Sequence, residues 1–112
     1  MFFTKKKIHP ITLVAKTDTG KERSTNEDTV DSFVINPQNS KTELNYNILV
    51  VADGMGGHEK GEVASEIAAK KFIETVKENI LHSSQETKNI NFDEILAKAV
   101  EVANSEVWKI SE

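Results

Sequence analysis

The chain of 112 residues reads as an α+β domain, an antiparallel sheet covered by an antiparallel helix pair. Three observations lead there. The first half carries short β-branched apolar runs separated by turn residues, which is strand patterning. From Glu62 the apolar period changes to that of a helix. Strands first and helices second is the order of an antiparallel sheet with helices on one face.

Taken in order, Ile11 to Lys16 (ITLVAK) predicts a first strand, after a tail over residues 1–10. Asp18 to Gly20 carries turn chemistry. Val30 to Asn36 predicts a second strand, and Pro37 to Ser40 a turn. Tyr46 to Ala52 predicts a third strand whose ILVVA run is apolar on both faces, as in a strand covered on both sides. Ala64, Ile67, Ala68, Phe72, Val76 and Ile80 then recur at helical spacing. His82 to Asn91 is polar and aperiodic, a loop. Asn91 with Glu94 three residues on makes a capping box, opening a helix with Phe92, Ile95, Leu96, Ala99, Val100, Ala103, Val107 and Ile110 in one stripe.

That arrangement leaves one face of the third strand without cover. A domain running over residues 11–112 is therefore expected to be a portion of a larger one, or to pair with itself or a partner through that face.

Composition narrows the function. The formal net charge of -4 and the dispersed basic residues speak against nucleic-acid binding. There is no cysteine, which excludes thiolate metal sites and cysteine nucleophiles. The Lys5 to Lys7 cluster is not followed by a long apolar run, and no stretch reaches the ~18 apolar residues of a membrane helix. A cytoplasmic protein is expected.

Two acidic centres stand out. Asp53 ends an apolar strand and is followed by Gly54, Gly56 and Gly57. A carboxylate on a rigid strand end, beside a glycine whose carbonyl is accessible, offers hard oxygen ligands suited to magnesium, manganese or calcium. The alternative is a glycine-rich turn with Asp53 as a turn or cap residue. Gly56 to Glu62 departs from a phosphate-binding loop, with Glu62 in place of the lysine and Val63 in place of the hydroxyl residue. The second centre is the adjacent pair Glu27–Asp28, with Arg23 four residues earlier as a candidate phosphate-binding guanidinium. A solvated salt-bridging loop is the alternative here. His58 is a weak candidate proton donor. Trp108 and Phe72 read as packing residues, and Ser65 as a first-turn helix residue.

DTGKERSTNED (Asp18 to Asp28) and VVADGMGGHEKGEVAS (Val50 to Ser65) resemble the metal-dependent type 2C protein serine/threonine phosphatases in their bacterial form, and AVEVANSEVWKI (Ala99 to Ile110) resembles the family's second helix. The resemblance implies half of an α-β-β-α sandwich and a site for two magnesium or manganese ions at one end of it. A water activated between the ions attacks phosphoserine or phosphothreonine of protein substrates. It implies Asp53 as the carboxylate bridging both ions, Gly54 as a carbonyl ligand and Glu27 as a ligand of the same ion. Asp28 would orient metal-bound water, and Arg23 would bind the substrate phosphate. Met55 stands where eukaryotic members carry a histidine. The later DG and DN motifs of the family have no counterpart before Glu112, so the chain resembles an N-terminal half, expected to be inactive alone. A non-catalytic phosphatase-like binding module and a hydrolase of small phosphoesters remain open.

Overall fold

The computed structural model describes residues 12–36, 45–56, 60–85 and 89–111. Its elements are β1 (Asp28–Ile35), β2 (Tyr46–Asp53), α1 (Lys60–Gln85) and α2 (Phe92–Ser111). The α+β arrangement matches the patterning, and β1, β2 and α2 lie where the apolar runs put them. The tail, the turn at 37–40 and His58 lie outside the described residues.

Three expectations need correction. Thr12 to Lys16 forms no strand, so the described sheet has two strands and the order is β-β-α-α. An apolar β-branched run becomes a strand only where a neighbour accepts its backbone hydrogen bonds, and this one has no described ladder partner. The first helix runs on through His82 to Gln85, inside the stretch expected to be loop. That stretch holds no glycine or proline, and loss of apolar period does not by itself stop a helix. The most buried line along α1 is Ser65, Ala69, Ile73, Val76 and Ile80: the expected Val76 and Ile80 are buried, whereas the expected Ala64, Ile67, Ala68 and Phe72 are only half-buried. Hydropathy could not count Ser65 as a buried position.

The strands are antiparallel, with Phe33 opposite Ile48 and Asp31 opposite Val50. Alternation sends Phe33, Ile35, Ile48 and Val50 to the helix side, where they pack with Ile73, Val76, Ile80, Ile95 and Ala99. The other face is open: Leu49 is 59% and Val51 75% exposed. Sheet width explains which helix does the covering. Two strands ~4.8 Å apart support one helix ~10 Å across. α1 lies across both strands, while α2 packs on α1 and meets the sheet at the Tyr46–Phe92 ring pair, centroids 5.7 Å apart. Beneath α2, beside the free edge of β2, a cavity of about 450 Å³ opens between Leu49, Val51, Phe72, Val100 and Val107.

α2 begins as its sequence specifies: the Glu94 amide donates to Asn91 Oδ1 at 3.2 Å and the Ile95 amide to the Asn91 carbonyl at 3.2 Å. Its stripe splits in two, however. Ile95, Ala99 and Ala103 are buried against α1, whereas Leu96, Val100 and Ile110 face the uncovered flank. Ile95→Ala should therefore cost about 2–5 kcal/mol in urea unfolding. The adjacent Leu96→Ala should cost well under half of that. Equal losses would mean that α2 is rotated from this packing.

Candidate functional site

The site is built where the ladder ends. β1 starts at Asp28 and β2 stops at Asp53, and the register sets these two residues directly opposite each other. The Gly54 amide donates to the Glu27 carbonyl at 3.1 Å, carrying the pairing one rung further. By strand alternation Thr29 and Ala52 lie on the α1 side, so Asp28 and Asp53 share the uncovered face. Like charges directly opposite on one face repel.

Glu27 is held differently. Its side chain is 13% exposed and lies against Gly61, at the start of α1. Gly54 is buried between two backbones: a Cβ there would fall on the Gly61 carbonyl and 2.5 Å from the Glu27 carbonyl oxygen. No other residue fits this close approach. Arg23 Nη1 sits 3.4 Å from Glu27 Oε2, with the Arg23 side chain largely in solvent.

Polar side chains fix the approach to β1. The Asp28 amide donates to Asn26 Oδ1 at 3.0 Å, an Asx turn, and Asn26 Nδ2 donates to Thr17 Oγ1 at 2.9 Å. Earlier in the loop, the Gly20 amide donates to Asp18 Oδ1 at 2.8 Å, with Gly20 at φ 81°, as the turn residues predict. From the other side, buried Ser65 donates to the Glu62 carbonyl at 3.0 Å. Its one proton being used, Thr29 Oγ1 donates to Ser65 Oγ at 2.8 Å. The first turn of α1 is thereby tied to the residue after Asp28.

Glu27, Asp28, Asp53, Gly54 and Arg23 are thus gathered at one end of the sheet. Sequence reasoning passed over Asn26, Gly61 and the burial of Ser65. A glycine inside a helical pattern was the available sign for Gly61, and an asparagine two residues before a strand for Asn26. Nothing in hydropathy marks Ser65. A cavity of about 600 Å³ nearby, between Met55, the α1 residues Lys60 and Val63, and the α2 residues Val107 and Ile110, is mainly apolar. The acidic cluster lies outside it.

The electrostatics are those of crowded carboxylates. Asp28 is held above its ordinary pKa of 3.8 by its hydrogen bond with Asp53, then by desolvation and by the charge of Asp53. The Glu27 charge adds in the same direction, and the Arg23 guanidinium opposes it. A hard divalent cation would relieve this repulsion, and carboxylates plus a main-chain carbonyl are the right donor chemistry for one. Among the described residues, no group of three or more acidic or imidazole side chains is placed to hold a metal ion together. The donors fit such an ion in kind, as an open and partial set.

A group that holds its proton more tightly when folded contributes stability that is full below its unfolded pKa. That contribution is lost as pH rises through the raised folded value. Thermal melts in EDTA should therefore show Tm falling over the acidic range because of this pair. Asp28→Asn should flatten that fall and raise Tm at neutral pH. A variant that melts lower than the parent at neutral pH would contradict this.

A sequence profile of the protein phosphatase 2C family matches residues 21–110. The serine/threonine phosphatase stp of Listeria monocytogenes serotype 4b (strain F2365) is 35% identical over 100 residues, covering 87% of this chain and 34% of the relative. The stp phosphatase of Listeria monocytogenes serovar 1/2a (strain ATCC BAA-679 / EGD-e) is 35% identical over 95 residues, 82% of this chain and 32% of its own. Protein phosphatase PhpP of Streptococcus pneumoniae serotype 2 (strain D39 / NCTC 7466) is 38% identical over 52 residues, 46% of this chain and 18% of its own. The chain thus spans about a third of the length of the Listeria relatives. No solved structure matches it significantly. With the profile covering most of the chain, and both acidic centres inside the matched span, the chain belongs to the protein phosphatase 2C family.

Proposed function

We propose that this chain carries part of the active site of a metal-dependent protein serine/threonine phosphatase. The observation that carries the reading is the placement of Asp28 and Asp53 opposite each other at one sheet end, with Glu27, Arg23 and Gly54 next to them along the chain and the ladder. In this reading Asp53, Glu27 and the Gly54 carbonyl would hold magnesium or manganese. Ions so held supply Lewis acidity and lower the pKa of an attacking water.

The chain's own residues do the remaining work. Asp28 orients the attacking water through its carboxylate. Arg23 leaves its 3.4 Å contact with Glu27 to hold the phosphoryl group, a task suited to its planar paired donors. Phosphoserine and phosphothreonine proteins are the proposed substrates, on the strength of what the relatives are called. The cytoplasm is the proposed place of action. The exposed apolar side chains of Leu49 and Val51 support a covered sheet face, by further sheet of the same domain or, in the 112-residue chain alone, by self-association.

The test is phosphate release from a phosphoserine peptide in Mn2+. If the gene encodes more than these 112 residues, its full product should be active. Asp53→Asn should lower kcat by about a hundredfold or more, since loss of groups that merely support metal ligands already costs about 10–100-fold. The 112-residue chain alone, with its partial donor set, should stay at the buffer rate. An active Asp53→Asn protein would refute the assignment. A full product that binds Mn2+ without turnover would point to a non-catalytic module instead.

A further inference from the structure

Gly61 is the second residue of α1, where replacing glycine by alanine lowers the entropy of the unfolded chain. Its buried position has a specific neighbour. A Cβ on Gly61 would meet Glu27 Cδ at 2.8 Å, Oε2 at 3.0 Å and Cγ at 3.1 Å. α1 is tied to this sheet end. The Gly61 carbonyl is packed against Gly54, whose amide is bonded to the Glu27 carbonyl. One turn on, the Thr29–Ser65–Glu62 hydroxyl chain ties α1 to β1. The softest part of this assembly is the end of the Glu27 side chain.

We propose that Gly61 is a positioning residue for Glu27, its bare Cα setting where the Glu27 carboxylate rests at the acidic end of the sheet. This rests on the reading of Glu27 as a cation ligand. A methyl at Gly61 would leave the backbone in place and displace the carboxylate. Folding and metal affinity should then move in different directions, which a merely structural glycine would not produce.

The experiment measures Mn2+ affinity by calorimetry and Tm in EDTA for the parent chain, Gly61→Ala, Glu27→Gln and the double variant. Gly61→Ala is expected to melt no lower than the parent and to raise the Mn2+ Kd about tenfold or more. In the Glu27→Gln background it should add nothing further. Three results would overturn the proposal: an unchanged Kd in Gly61→Ala while Glu27→Gln weakens binding, a lower Tm, or failure to fold. If Glu27→Gln itself leaves Mn2+ affinity unchanged, the ligand reading fails instead. The positioning is then decided by the 13C shift of the Glu27 carboxylate in metal-free chain. That shift should move in Gly61→Ala, and an unmoved shift contradicts the proposal.

Discussion

Three stretches of backbone meet at Gly54. Its amide is bonded to the Glu27 carbonyl, its Cα lies against the Gly61 carbonyl, and the residue before it ends β2. Every feature of the acidic site follows from that contact. The bond to Glu27 carries the ladder one rung past Asp28 and Asp53, so these two must face each other. The contact with Gly61 brings the start of α1 down onto the same sheet end, where Glu27 lies against it. A side chain at Gly54 would have to part all three.

The site is consequently stable in shape and unfavourable in charge. Backbone pairing, the Asn26 turn and the Ser65–Thr29 hydroxyl pair hold carboxylates together that repel one another. Arg23 offsets part of this from an exposed position, and surface pairs of this kind contribute little. In the proposed reading a divalent cation offsets this repulsion. The sheet's open face points the same way at the level of the fold. β2 is apolar on both sides, yet two strands accommodate only α1, leaving Leu49 and Val51 in solvent and α2 beyond the sheet edge.

Much of this was legible beforehand. The β2 run, the Asn91 cap and the Asp53–Gly54 junction are local signals, and local signals survive into the structure. The Thr12–Lys16 run carried an equally strong strand pattern but had no described ladder to join, a condition that lies outside the segment itself. The α2 stripe was correct as a periodic pattern. Its division into a buried and an exposed half depends on sheet width, which the pattern does not encode. Ser65 and Gly61 act through partners 36 and 34 positions away, at Thr29 and Glu27. Only a chain already folded brings those neighbours together.

The central claim is that Glu27, Asp28, Asp53 and Gly54 form one cation-binding sheet end. Paramagnetic broadening of the 15N-labelled chain by substoichiometric Mn2+ tests it most directly. The account predicts that the amide signals of Glu27, Asp28, Asp53 and Gly54 fade first, with Gly61 close behind and Ile95 and Ala99 unaffected. Broadening centred elsewhere, or none at all, would contradict it.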